Sequence, residues 1–350
     1  MALRSLIHRL LASAAVLLIA GAALVPVAQA RGHHHRKARQ TKVVPNLGKR
    51  GSPCVAAPYL GQAPGDDPSL DTTSLGPAAP TDYEIGAPAT GGATVKRVMI
   101  LVHGGGWYTT GPAAMHSGRS AGQRWRDAGW ETVNIDYRAC GASAGDVLTF
   151  YDLMRQQVGP NIPICLEGES AGAHLALMVA ADRADVACVI ATGAPTNLRS
   201  IAAEGKAEAA NGTGVPKLRT GSSYVQGLAR AAFGRQGMTD LSPVTWAAQI
   251  HARVLIGTAA VDPMVPAAQA QDLAAAIQGA NAGAYVDVDR LEAGSVPWVH
   301  GGVSQAAVDD FANRMTALVK PFGVPATGSP STLFPNPFAM LMGQLGNLLK

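Results

Sequence analysis

The sequence predicts an α/β fold: a mostly parallel central sheet with helices on both faces and a lid insertion. Two observations carry that prediction. Short apolar runs of strand type alternate with helix-like stretches along most of the chain, and two of those runs end directly in glycine-rich turns. A third concerns size, since 350 residues with 47% hydrophobic and 15% charged content suit one large buried core with appendages.

The strands are expected at Val98 to Val102, Thr132 to Asp136, Ile162 to Leu166, Ala187 to Ala191, Val254 to Ile256 and Tyr285 to Val288, where β-branched residues cluster. Helices are expected between them at Gly118 to Ala128, Asp146 to Val158, Ala171 to Ala181, Ala267 to Gln278 and Val303 to Val319. Residues 195–239 scatter Gly, Asn and basic residues between two core strands, the place for a lid that shapes a pocket. The main folded domain is assigned to residues 81–320. Before it, residues 31–80 read as an irregular linker or wrap; after it, residues 321–350 read as a tail with an apolar end.

Residues 1–30 have the form of a signal peptide: Arg4 and Arg9, an apolar stretch, then Ala28-Gln29-Ala30 as a small-residue cleavage site. Export follows from that reading. An uncleaved membrane anchor is the alternative, because the apolar stretch approaches bilayer-spanning length and is followed by Arg31, Arg36, Lys37, Arg39 and Lys42.

Charge argues against a nucleic-acid partner. Nine of the 28 Lys/Arg lie in the first 50 residues, which hold no Asp or Glu, so from Gly51 onward 19 basic residues face 24 acidic ones. The His33-His34-His35 run within that basic stretch reads as a solvated tail rather than a metal site, and the tail offers at most a weak contact to acidic cell-envelope polymers. Four cysteines in an exported chain permit two disulfides: Cys54 with Cys140, and Cys165 with Cys188 if their strands are neighbours. The plainer reading of Cys165 and Cys188 is two buried thiols.

Chemistry enters with serine. A serine hydroxyl is a poor nucleophile at neutral pH, and a G-x-S-x-G strand-to-helix turn holds it exposed beside a base. Three pentapeptides match, centred on Ser120, Ser143 and Ser170, against about 0.2 expected by chance in so glycine-rich a chain. Ser120 has no strand leading into it and reads as helix-start chemistry with Ser117 as N-cap; Ser143 is separated from its strand by Asp136 to Cys140. Only Ser170 is fed by an apolar strand and followed by a small apolar helix, whose N-terminus aims N–H groups at the reacting oxygen.

His103-Gly104-Gly105-Gly106-Trp107 follows another strand, and glycines there let backbone N–H groups approach a developing oxyanion. Gly105, Gly106 and Ala171 are the expected donors. Asp262, after the strand ending at Ile256, is the acid candidate at the sheet's C-terminal edge; His300, after the last strand, is the base candidate. His103 and His174 read as scaffold residues, His251 has no acid set after it, and Asp287 and Asp289 read as solvent-facing or capping groups on a strand.

Through HGGGW at 103–107, NIDYR at 134–138, GESAGAHLA at 168–176, DPMVP at 262–266 and His300, the chain resembles the α/β-hydrolase superfamily, and within it the hormone-sensitive-lipase-like and feruloyl-esterase-like carboxylesterases. The similarity spans roughly residues 81–320. It implies hydrolysis of small-molecule or lipid-like carboxylic esters without a metal or organic cofactor. GxSAGAHLA is also similar to kynurenine formamidases, so cleavage of a formamide or other amide by the same triad is the alternative.

Overall fold

Strands β1 (Ala57–Pro58), β2 (Tyr83–Gly86), β3 (Val98–Val102), β4 (Thr109–Thr110), β5 (Glu131–Ile135), β6 (Ile164–Glu169), β7 (Cys188–Thr192), β8 (Arg253–Ala259) and β9 (Val286–Leu291) alternate with helices in the computed structural model. The helices are α1 (His116–Asp127), α2 (Ser143–Val158), α3 (Ala171–Asp182), α4 (Ile201–Ala210), α5 (Leu218–Asp240) and α6 (Ala268–Ala280). The structure describes residues 57–58, 69–89, 94–211, 218–260, 262–291 and 300. The leader at 1–30, the helix expected at 303–319, the tail at 321–350 and Cys54 lie outside them.

Seven strands form one sheet in the order β2-β5-β3-β6-β7-β8-β9. The β2 strand runs antiparallel to β5, and every other pairing in this sheet is parallel. Parallel strands covered on both faces must be apolar throughout, which is why β3 is Val-Met-Ile-Leu-Val with every residue buried. The α3 helix is buried from Ala171 to Ala181, so its apolar residues surround the axis instead of forming one stripe.

Two strands carry buried, paired carboxylates that break the apolar pattern, so that one goes unannounced and the other runs past its apolar stretch. Tyr83-Glu84-Ile85-Gly86 is too short and polar to stand out, yet Glu84 is buried and bonded by Arg119 and Asn134. The β6 strand continues past Leu166 through Glu167, which accepts from Arg124 and from the Trp125 indole. The α2 helix begins three residues before the expected Asp146, at Ser143, whose hydroxyl donates to Cys140 O.

Cys165 and Cys188 stand directly opposite one another on β6 and β7 and are joined by a disulfide, with Cα atoms 4.6 Å apart. That replaces the reading of two buried thiols. Cys140 is also disulfide-bonded.

The segment between β7 and β8, not readable from its sequence pattern, carries α4 and α5. The α5 helix breaks at Gly234, whose φ of 70° and ψ of 178° interrupt the helical path. Glu208 on α4 accepts from the N–H groups of Ala267 and Ala268, holding the start of α6. Short β1 pairs in parallel with β4, so the N-terminal wrap reaches the loop that follows the glycine run.

Candidate active site

Ser170 occupies the sharp turn between β6 and α3 with φ 52° and ψ −117°, a conformation costly for any residue with a side chain. The glycines two residues before and after it have no room for one. A Cβ on Gly168 would lie 2.5 Å from backbone atoms of Gly172, and a Cβ on Gly172 would lie 2.1 Å from Val102 O. The two glycines thus allow the strand and helix to close on each other, while Ser170 N–H donates to Thr192 O at 2.8 Å. Gly145, the last residue of the Ser143 pentapeptide, has open space around it instead. Ser143 starts α2, with its hydroxyl committed to Cys140 O, and Ser120 lies inside α1. Ser117 does not cap α1: the N-cap is Met115, without a side-chain bond.

His300 connects Ser170 to Asp262. Its Nδ1 lies 3.0 Å from both carboxylate oxygens of Asp262, and its Nε2 lies 2.9 Å from Ser170 Oγ. With the Nδ1 proton facing a carboxylate, Nε2 is the ring nitrogen left to accept the serine proton. Asp262 is fixed in turn by the N–H groups of Met264 at 2.7 Å and Val265 at 3.0 Å. All three side chains are buried. Burial alone would lower the His300 pKa, but the Asp262 charge and hydrogen bond, with Glu169 behind them, outweigh it and raise it above its ordinary value.

The glycine run bends around Ser170. Gly105 and Gly106 take φ of 118° and 63°, in the left-handed region that favours glycine. A Cβ on Gly104 would lie 3.4 Å from Ser170 Cβ, so the loop runs beside the serine. Among the described residues, no acceptor sits on the N–H of Gly105, Gly106 or Ala171. Three donors are therefore available next to one hydroxyl.

Two residues that had no assigned role in the sequence hold this loop. Asp136 accepts from His103 Nε2 at 3.0 Å and from Gly111 N–H at 2.9 Å. The Tyr137 hydroxyl donates to His103 O at 2.9 Å and approaches Gly104 O at 3.3 Å, with its ring stacked on His103. Burial raises the Tyr137 pKa well above the phenol value, which keeps it a donor. A buried tyrosine after an aspartate, six residues past a strand start, gives no signal of its partner until the sheet places β5 beside β3.

His174 is a scaffold residue, as its position one turn past Ser170 suggests. Its Nδ1 accepts from Trp107 Nε1 at 3.1 Å and its Nε2 donates to Leu241 O at 2.6 Å. Burial pushes its pKa down to about 4, leaving the ring neutral. His251 is exposed ahead of β8, and Asp287 and Asp289 lie partly buried on β9.

No family model matches the chain, and no curated protein matches it in sequence. Solved structures do match its fold. Esterase 2 of Thermogutta terrifontis, phosphonylated by sarin, superposes with a TM-score of 0.54 at 16% identity, covering 76% of this chain and 99% of its own. A hormone-sensitive lipase from a metagenome library gives a TM-score of 0.53 at 16% identity, covering 72% and 87%. An α/β hydrolase enzyme from a Lake Arreo metagenome gives 0.51 at 17%, covering 66% and 73%. The architecture of this chain is therefore the α/β-hydrolase fold.

Proposed function

We propose that this protein is an exported serine hydrolase that cleaves carboxylic esters through an acyl-enzyme on Ser170. The observation that carries the reading is the unbroken hydrogen-bonded line from Asp262 through His300 to Ser170 Oγ, beside N–H groups that have no acceptor among the described residues. Ser170 Oγ attacks the ester carbonyl carbon as His300 Nε2 takes its proton, and Asp262 holds the imidazolium that forms. The oxyanion is met by Gly105, Gly106 and Ala171 N–H. Collapse breaks the bond to the alcohol oxygen, which leaves with the proton from His300; water then repeats the sequence and releases the acid.

Esterase and lipase names among the fold neighbours agree with this reading, as does the closed cysteine pair with an oxidising compartment. The expected substrate is a small-molecule or lipid-like ester.

The test is covalent labelling by a fluorophosphonate, with p-nitrophenyl ester turnover in parallel. Ser170→Ala should abolish both, Ser143→Ala should leave both largely intact, and Asp262→Asn should lower kcat by about 10⁴. Labelling that persists in Ser170→Ala would overturn the assignment. Paired esters and amides of one acyl group measure the preference between the two bonds. For export, the expected result is a mature N-terminus at Arg31 on protein recovered outside the cytoplasm.

A further inference from the structure

One flank of α5 touches both the segment after Asp262 and the glycine loop. Gly221, Tyr224 and Leu228 recur at helical spacing, so their side-chain positions fall on one stripe. At one end the helix meets the segment after the acid: a Cβ on Gly221 would lie 1.9 Å from Pro263 O. At the other it meets the glycine loop, where a Cβ on Gly106 would lie 2.7 Å from Leu228 Cδ1. The Tyr108 hydroxyl, two residues past Gly106, reaches Leu228 O at 3.4 Å and fastens that end. Between the two contacts, Tyr224 is 37% exposed, an unusual position for a large apolar ring among the described residues.

The chemistry orients the substrate along this stripe. The departing alcohol oxygen must lie within reach of His300 Nε2 to be protonated, which puts the leaving group on the His300 side of Ser170. The acyl chain then extends the other way, past the oxyanion donors and toward Leu228. Resting on the ester-hydrolase reading above, we propose that Leu228 is a specificity-determining residue: its isobutyl group closes the acyl side of the site over Gly106 and restricts the enzyme to esters of short acyl chains. Tyr224, exposed beside it, forms the rim where a longer chain would emerge. The restriction is steric, since Leu228 sits on a helix whose backbone is held at this end by Tyr108.

The experiment is a p-nitrophenyl ester series from acetate to decanoate on the full chain, read as the ratio of kcat/KM for octanoate to that for acetate. Leu228→Ala should raise this ratio about tenfold or more, since space for even one methylene is worth at least that much discrimination. Leu228→Phe should lower it further below the starting value, and Arg230→Ala, exposed on the opposite side of α5, should leave the profile unchanged. A second series, acetates of lengthening alcohols, should respond little to Leu228→Ala. An unchanged acyl profile in both Leu228 variants, or a larger response in the alcohol series, would overturn the proposal. Failure of the ester-hydrolase reading itself looks different: the unmodified protein would then turn over no ester in either series and take no fluorophosphonate on Ser170.

Discussion

Gly172 is packed so closely against β3 that a Cβ on it would lie 2.1 Å from the carbonyl oxygen of Val102 and 2.4 Å from that of His103. Backbone cannot yield as a side chain can. Gly172→Ala should therefore displace α3 and cost more than about 3 kcal/mol, the range of severe overpacking. Gly145→Ala, in open space within the rival Ser143 pentapeptide, should stay within about 0.5 kcal/mol or stabilise slightly, as helix propensity favours alanine. Urea midpoints of the two variants give the comparison, and equal midpoints would contradict the packing argument.

That contrast also marks how far the sequence could be read. The three serine pentapeptides are equivalent as text, and what separates them is the strand before Ser170 and the absence of space around Gly168 and Gly172; the first is visible in Ile162 to Leu166, the second only in three dimensions. Val98 to Val102 was legible in full because a central parallel strand has no polar face. The β2 strand was not, because Glu84 interrupts its apolar character and is neutralised by Arg119 from a helix distant in sequence. For the same reason Asp136 and Tyr137 stayed without a role: their partners, His103 and Gly104, lie on another strand's loop. The helices α4 and α5 escaped notice since residues 195–239 scatter glycine and basic residues through them, and their stability comes from tertiary contacts such as Gly221 on Pro263.

His174 links the pH dependence of stability to its buried hydrogen bonds. Its folded pKa of about 4 lies below its ordinary value of 6.5, so between these values the unfolded chain binds a proton that the folded one refuses. Stability contributed by the neutral ring is fully present above pH 6.5 and is lost as pH falls toward 4, by up to about 3 kcal/mol. Chemical denaturation at pH 7 and pH 4.5 should show a steeper acid loss in the unmodified protein than in His174→Leu. The variant should start about 2 to 4 kcal/mol less stable, since Trp107 Nε1 and Leu241 O lose their partner.

Glu169 tunes His300 without touching the reacting atoms. The carboxyl is partly buried, and burial raises its own pKa, opposed by the charge of His300. Its charge is one of the causes that raise the His300 pKa. Glu169→Gln should therefore lower that pKa and move the acid limb of the kcat/KM profile to lower pH, because the base is neutral over a wider range. A limb that stays in place, or moves upward, in the Gln variant would refute the coupling.

The Cys165–Cys188 pair closes a loop with a sequence separation of 23 between β6 and β7, which holds the Ser170 turn. Cross-linking a loop of this size removes unfolded-state entropy worth about 3 kcal/mol. The double variant Cys165→Ala/Cys188→Ala should lose stability of that order while keeping ester turnover at low temperature, because neither sulfur reaches the site. Non-reducing peptide mapping of the unmodified protein should recover the Cys165 and Cys188 peptides joined, and two free thiols there would contradict the pairing.

Tyr137 should matter to rate more than to binding. Its hydroxyl donates to His103 O and approaches Gly104 O, so it fixes the two peptides that carry the Gly104 and Gly105 N–H groups and with them the start of the glycine loop. An oxyanion donor acts only if it is already aimed where charge develops, and loss of one donor outright costs about 10² to 10³ in rate. Tyr137→Phe leaves the donors present but removes what holds their loop, so kcat should fall by less, about tenfold, with KM nearly unchanged. The ring stays stacked on His103, so the fold should lose only about 1 to 2 kcal/mol, from the buried carbonyls left without their donor. A merely structural tyrosine would show that stability loss with an unaltered kcat at temperatures where the variant is folded. Stopped-flow acylation with a p-nitrophenyl ester, set beside the thermal midpoint, separates the two cases: slowed acylation in a fully folded variant is the expected result, and wild-type acylation would remove Tyr137 from the account of the oxyanion loop.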